Sequence, residues 1–146
     1  NTAEYLQALS SIGKLTSPDN IIGTDIVDIH YILNDGKIIC HTSSEGSLES
    51  ISRTLSSATN KAELSMNRSL CECSTVVMII TTSVALGDAL GDVCEEFDKV
   101  TGDHPITLVG LFPDPTWSSY EDVRLDVIYA ITILKLRELS KKNHGK

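Results

Sequence analysis

The stretch Thr75-Val76-Val77-Met78-Ile79-Ile80-Thr81 decides the fold of this chain. It is a short run of apolar and β-branched residues, which is typical of a central strand. A helix is predicted to follow from about Leu86 to Val100 and to stop at Thr101-Gly102-Asp103. A second strand is predicted over residues 105–112 and is closed by Pro113-Asp114-Pro115.

Residues 119–140 allow two interpretations, since many of them are good helix formers and no Pro or Gly interrupts them. Strict alternation favours a strand to about residue 133, with a helix as the alternative. The alternating apolar residues are Val123, Leu125, Val127, Tyr129, Ile131 and Ile133, and the opposite face carries Arg124, Asp126 and Thr132.

The amino-terminal half adds three predicted helices and one short strand. The helices are expected over residues 2–15, after Thr24 as far as the turn Asn34-Asp35-Gly36, and over residues 47–58, while Lys37 to His41 forms the strand. Residues 61–74 show no clear period. The predicted fold is α+β, a two-layer α/β arrangement in which a four-stranded mixed sheet packs against helices on one side. The last two strands are expected to be antiparallel.

Length and composition fit one domain with its own core, since the chain has 146 residues and is 41% hydrophobic. No apolar run approaches the roughly 20 residues that span a bilayer, and the first residues lack the pattern of a signal peptide. We therefore expect a cytoplasmic protein.

The net charge of -8 is unevenly distributed. Residues 135–146 hold five Lys/Arg and one acid, which leaves 7 basic against 19 acidic residues, a net charge of -12, on the rest. The acidic body should repel nucleic acid and anionic membranes. The basic tail could contact an acidic partner, although a solvated terminus is the commoner case.

Several kinds of site are not predicted. The four cysteines are expected to be reduced thiols, and neither they nor the scattered histidines have the spacing of a metal site. The glycines form neither a G-x-x-x-x-G-K-[ST] nor a G-x-G-x-x-G motif, so the chain lacks a recognisable phosphate-binding loop. A nucleophile elbow of the form G-x-S-x-G is also absent.

The segment Gly23-Thr24-Asp25-Ile26-Val27-Asp28 places two carboxylates one helical turn apart. Ile22, Ile26, Ile29 and Leu33 form the apolar stripe of the predicted helix, and the two acids project from a different face. They could share one chemical task. They could equally be solvated acids in a first turn, which the helix dipole stabilises by about 0.3–1 kcal/mol.

In order and spacing these segments resemble the C-terminal domain of FtsZ, the bacterial and archaeal relative of tubulin, together with the end of the helix that precedes it. That family has a loop N-x-D-x-x-D, with which Asp25 and Asp28 agree while Gly23 replaces the Asn. The family strand ending in I-T-G-G is similar to residues 76–82, with Thr82-Ser83 replacing the glycines. Further matches are Gly36–Cys40, Ser47–Asn60, Ala85–Val100, Ile106–Pro113 and Asp122–Ile128, the last of which favours a strand there.

The resemblance implies three regions. Residues 1–19 correspond to the end of the central connecting helix and its loop, and residues 20–134 to the C-terminal-like domain with the acidic loop at 23–28. Residues 135–146 form the basic tail. The chain lacks the family's G-G-G-T-G-[ST]-G loop, so it is expected to be either an excised domain or a naturally short protein.

The resemblance also implies a function. In FtsZ-like filaments one subunit binds GTP, and the next inserts its acidic loop to activate water. The expected role is therefore the GTPase-activating half of a cell-division or cytoskeletal filament protein, with Asp25 and Asp28 as catalytic residues. Gly23 stands where the family Asn would position the loop or contact the nucleotide. GTP and Mg²⁺ would be held by a neighbouring FtsZ-like subunit in a head-to-tail filament, and the chain alone would not turn over GTP. Neither nucleic acid nor a membrane is an expected partner.

Two other functions stay open. The same fold could serve a non-catalytic adaptor or assembly inhibitor, whose acidic loop caps a filament subunit. A third hypothesis leaves the family aside and describes a small oligomeric α/β enzyme, as in chorismate-mutase-like folds, in which an oligomer interface creates the pocket.

Overall fold

One mixed sheet organises residues 37–114 and 122–132, which are the residues that the computed structural model describes. Within these ranges it has four strands and two α-helices. They are β1 (Lys37–Gly46), α1 (Ile51–Met66), β2 (Thr75–Thr82), α2 (Ala89–Thr101), β3 (Ile106–Pro113) and β4 (Val123–Thr132).

The strand order is β1-β4-β2-β3. β4 is antiparallel to both β1 and β2, whereas β2 and β3 are parallel and are joined by α2 as a crossover. The predicted α+β fold with a four-stranded mixed sheet is confirmed. β3 and β4 run in opposite directions, as expected, but they are not neighbours because β2 lies between them.

β2 forms the centre of the sheet, and all eight of its residues are buried. Val76, Met78 and Ile80 belong to the main core, which lies on the face covered by α1 and α2. A smaller cluster on the opposite face contains Val77, Ile79 and Ile128. Burial on both faces explains why this strand is a nearly continuous apolar run rather than an alternating one.

Two elements are longer than predicted. β1 continues beyond His41 to Gly46, since its whole length pairs with β4 from Thr132 back to Val123. α1 is preceded by a short 3-10 turn, Leu48–Ser50, and continues beyond residue 58 to Met66. It stops at Asn67, which adopts the left-handed conformation with φ 52° and ψ 41°.

Residues 123–132 form a strand, so the helical alternative is wrong there. Val123, Leu125, Val127 and Tyr129 face the main core, as the alternation predicts. The two helices that were predicted before residue 36, the basic tail and the proposed regional boundaries lie outside the described residues. Neither α1 nor α2 is long and apolar enough to span a membrane.

Candidate functional site

The acidic pair predicted from the sequence lies outside the described residues. Gly23, Asp25 and Asp28 all precede β1, so their arrangement stays a prediction. The described part of the chain contributes two other features that could bear on function. They are a cleft at one end of the sheet and a buried charged cluster on the sheet face opposite the helices.

The cleft lies at the carboxyl ends of the parallel strands β2 and β3, and its volume is about 470 Å³. Open α/β sheets commonly bind ligands at this end of their parallel strands. Most of its wall is apolar. The lining residues are Thr82, Ser83, Val84, Ala85, Leu86, Gly87, Leu90, Leu111, Pro113 and Asp114.

Hydrogen bonds of Thr82 hold the cleft in shape. Its hydroxyl donates to the Val84 carbonyl oxygen at 2.7 Å and accepts from the Val84 amide at 3.1 Å. The Thr82 carbonyl oxygen accepts from the Asp114 amide at 2.8 Å, which ties the end of β2 to the end of β3. Gly87 then turns the chain into α2 with φ +55°, a conformation that L side chains rarely adopt.

The described residues offer this cleft few polar side chains. The lining residues in the described part of the chain include no His, Cys, Lys or Arg, and their polar side-chain groups are hydroxyls and the Asp114 carboxylate. Thr82 and Ser83 are the residues that the sequence resemblance sets against two glycines, and the Thr82 hydroxyl fixes the following loop.

A buried charged cluster connects β1 to β4 on the other face of the sheet. The His41 Nε2 and Asp126 Oδ1 atoms are 2.7 Å apart, and both side chains are almost completely buried. The Arg124 guanidinium donates to the same carboxylate from Nε at 3.2–3.3 Å and from its terminal nitrogen at 3.2 Å. The carboxylate therefore has partners on two strands.

The interactions of Asp126 with His41 and Arg124 lower its pKa by more than its burial raises it. Burial by itself would raise the pKa of this carboxyl, but the hydrogen bond with His41 and the charge and hydrogen bonds of Arg124 lower the pKa below its ordinary value. The cluster is thus built to hold an ionised carboxylate inside the protein. It stabilises the pairing of two strands, and within the described residues His41 has no nucleophile as a partner.

This cluster was not predicted from the sequence. The alternation of residues 123–133 correctly places Arg124 and Asp126 on one face of a strand, but Asp126 on that face has no exposed surface. His41 lies 85 residues away from Asp126 in the sequence, and only the pairing of β1 with β4 brings them together. An acid and an arginine spaced by two in an otherwise apolar strand were the available signal.

All four cysteines lie in the described part of the chain, and they form no disulfide bond there. Burial, followed by nearby charged groups, raises the pKa of Cys73 to about 12, and burial also raises the pKa of Cys94. Raised values disfavour the reactive thiolate. In residues 37–114 and 122–132, no group of three His, Cys, Asp or Glu side chains could hold a metal ion.

Comparison with solved structures identifies proteins of similar fold. A mutant of FtsZ from M. jannaschii matches with a TM-score of 0.61 and 17% identity over 88% of this chain and 37% of its own. An empty FtsZ dimer from M. jannaschii matches with a TM-score of 0.62 and 16% identity over 86% of this chain and 36% of its own.

TubZ from Bacillus thuringiensis serovar israelensis, in GDP-form protofilaments, matches with a TM-score of 0.52 and 11% identity, covering 95% of this chain and 40% of its own. The chain thus spans less than half the length of these proteins. No protein-family model and no curated protein matches its sequence. At this identity the likeness is one of fold, and the resemblance stated from the sequence is confirmed at that level: the chain has the fold of the FtsZ C-terminal domain.

Proposed function

We propose that this chain is the GTPase-activating half of an FtsZ/tubulin-like filament protein of the cytoplasm. The observation that carries the proposal is the match of 86–88% of the chain to FtsZ structures, which gives it the fold of the FtsZ C-terminal domain. Similar proteins have been solved as a dimer and as protofilaments, which supports assembly with FtsZ-like subunits.

The proposed catalytic groups are Asp25 and Asp28, whose carboxylates would orient or activate water against GTP on a neighbouring subunit. A well-placed general base contributes about 10²–10⁴-fold to a reaction rate. The sequence has no glycine-rich phosphate loop. GTP and Mg²⁺ would therefore be held by the neighbouring nucleotide-binding domain, where Mg²⁺ supports the charge that develops on the phosphates.

The test is GTP turnover by this chain mixed with a separately purified FtsZ-type nucleotide-binding domain. We expect turnover only in the mixture, and a loss of about 10²-fold or more when Asp28→Ala or Asp25→Ala replaces the wild type. Asp103→Ala is the matched control, because it removes an exposed carboxylate in the turn after α2. It should leave turnover unchanged.

Gly23 favours one alternative function. This residue replaces the family Asn, so the acidic loop lacks an amide that could contact the nucleotide. If this chain binds the nucleotide-binding domain but the mixture shows no GTP turnover, the chain would be identified as an adaptor or assembly inhibitor. Absence of binding together with a closed, stable trimer in solution would favour the small oligomeric enzyme and contradict the filament proposal.

A further inference from the structure

The outer surface of α1 carries a basic stripe at the spacing i, i+4, i+7, i+8 and i+11. Its members are Arg53, Ser57, Asn60, Lys61 and Leu64. They fall within about 100° of the helix circumference, on the side away from the buried residues of α1, and all five are exposed, Leu64 by 82%. The single acid of α1, Glu63, lies outside this stripe and accepts a hydrogen bond from the Leu70 amide at 2.7 Å. The α1 stripe therefore presents positive charge without a carboxylate.

α2 carries a stripe of the same spacing and the opposite charge. It begins with the N-cap residue Asp88, whose dihedral angles are helical, and continues with Asp92, Glu95, Glu96 and Lys99. Glu96 is half-buried and the other four are exposed. Lys99 lies 3.7 Å from both Glu95 and Glu96. Four carboxylates against one ammonium group leave the α2 stripe with a net charge of -3.

The two stripes lie side by side and run in the same direction. β1 and β2 are both antiparallel to β4, and β3 is parallel to β2, so β1, β2 and β3 share one direction. α1 connects β1 to β2 and α2 connects β2 to β3, so both helices run back across the same face of the sheet, where they contact each other. The helix layer thus sets a basic stripe beside a parallel acidic one, and such a surface is complementary to a second copy of itself.

We infer that the helix layers of two copies pack face to face about a two-fold axis that is parallel to the helices. This axis places α1 of each copy along α2 of the other in the same direction, so that both contacts form at once. Each contact joins a basic stripe to an acidic one. The interface requires neither nucleotide nor Asp25 and Asp28, so it can fail without affecting the GTPase proposal, and the reverse also holds.

The spacing of the charges fits this pairing. Arg53 and Lys61 are eight residues apart on α1, and Asp88 and Glu96 are eight residues apart on α2, which is about 12 Å along each helix. Arg53 of one copy can therefore meet Asp88 of the other while Lys61 meets Glu96. One turn further on, the exposed Leu64 falls beside the aliphatic part of the Lys99 side chain.

Two properties of the chain make this contact weak. Each copy has a net charge of -8, which opposes association in general. The helix layer measures about 20 Å by 20 Å, from the 13 residues of α2 and two helices about 10 Å apart. A polar contact of this size belongs to the reversible class of interfaces, so the expected assembly is a dimer that dissociates on dilution.

The test is sedimentation velocity of the full chain without nucleotide, over about a hundredfold range of concentration. Arg53→Glu with Lys61→Glu makes both stripes acidic, and Asp88→Lys with Glu96→Lys makes both basic. Each double variant alone should dimerise at least about tenfold more weakly than the wild type. Their equimolar mixture should dimerise again, because in the mixed dimer both contacts join stripes of opposite charge.

Net charge by itself predicts a different result. Asp88→Lys with Glu96→Lys changes the net charge from -8 to -4, which by reduced repulsion alone would strengthen association. Asp98→Lys with Asp103→Lys makes the same change at exposed positions outside the stripes, and it is the matched control. The control should dimerise at least as well as the wild type, whereas the stripe variant should fail to do so.

A second form of the α1 variant guards against loss of folding. Lys61 donates to the Ser43 carbonyl oxygen at 3.0 Å and to Ser44 Oγ at 3.1 Å, and Lys61→Glu removes both hydrogen bonds. Arg53→Glu with Asn60→Glu keeps Lys61 and should weaken dimerisation in the same way. Circular dichroism checks that every variant is folded.

Several outcomes would overturn the inference. They are a wild type that stays monomeric at every concentration, and a mixture of the two double variants that does not dimerise. Assemblies larger than a dimer would contradict the two-fold arrangement. Loss of association in the α2 variant alone, with the α1 variants unaffected, would mean that the acidic stripe binds some other basic segment and not α1.

Discussion

At the scale of single residues, Asp126 is the most consequential group that the structure describes. It is fully buried and keeps its charge through His41 and Arg124, so its pKa is lowered in the folded protein. A carboxyl with a lowered folded pKa stabilises the fold above its unfolded pKa, near 4, and loses that contribution as the pH falls through the folded pKa. Ionisation of Asp126 should therefore contribute stability at neutral pH and progressively less in acid.

Asp126→Asn should cost about 3 kcal/mol at pH 7, since it leaves His41 and Arg124 without a buried carboxylate. The difference in unfolding free energy between wild type and variant should begin to narrow below about pH 4, where the Asp126 carboxyl of the unfolded wild type takes up a proton, and it should narrow further as the pH falls through the lower folded pKa. Urea unfolding at both pH values measures this. Asp103→Asn, at an exposed position, serves as the control, and its free energy of unfolding should differ little from that of the wild type at either pH. If the loss of unfolding free energy caused by Asp126→Asn were the same at both pH values, the ionised form of Asp126 would not be the source of the stability.

Two glycines should respond in opposite ways to alanine. At Gly46 a Cβ would overlap the hydroxyl of Thr54, a buried β-branched side chain that donates to the Ser50 carbonyl oxygen. Gly46→Ala should therefore destabilise the fold by about 1–3 kcal/mol. Gly91 lies in α2 with no atom within 4 Å of an added Cβ, so Gly91→Ala should stabilise it by about 0.5 kcal/mol. Thermal unfolding of both variants measures these changes. Equal shifts in Tm for Gly46→Ala and Gly91→Ala would refute the steric explanation.

Single-residue roles were only partly predictable from the sequence. A resemblance based on order and spacing could nominate Asp25 and Asp28, because both acids keep their spacing in a local motif. It could not nominate His41, whose role depends on the register that sets β1 beside β4. Such a long-range contact leaves no periodic signal in either segment.

At the scale of elements, the end of α1 is set by one residue. Asn67 adopts the left-handed conformation, and its backbone N–H donates to the Glu63 carbonyl oxygen. Asn tolerates this conformation, but Gly adopts it without the steric cost of a Cβ. Asn67→Gly should therefore stabilise the protein by about 0.5 kcal/mol, as measured by urea unfolding.

Ser65→Gly is the matched control for this change. Ser65 is exposed and lies inside α1, two residues before Asn67, where Gly costs about 0.5 kcal/mol because it loses more backbone freedom on folding. The same new residue should thus lower stability at one position and raise it at the other. Destabilisation by both variants would show that the Asn67 side chain makes a contribution beyond its backbone conformation.

The elements differ in how well their sequences define them. β2 is recognisable because its composition and its burial agree, and β4 because its alternation matches its packing against the core. The end of α1 is not, since only Ala62 is buried after Thr59 and the last turn has no apolar stripe. β1 extends through Thr42, Ser43 and Ser44, which resemble a loop in composition but pair with β4 and contact α1.

At the scale of the whole molecule, strand order determines where the structure is hardest to open. β2 and β4 each pair with a strand on both sides, whereas β1 and β3 stand at the two ends of the order. β2 is also buried along its entire length, while the first residue of β3, Ile106, is 46% exposed. Local opening should therefore release the edge strands before the centre.

Hydrogen exchange of the native chain should follow this arrangement. Amides of Thr75–Thr82 are expected to exchange only through global unfolding, so their exchange free energy should fall with denaturant at the slope of the full unfolding transition. Residues 106–110 of β3 should exchange faster, with a smaller dependence on denaturant, because local fraying exposes them. Equal protection of the two strands would mean that the sheet opens as one unit.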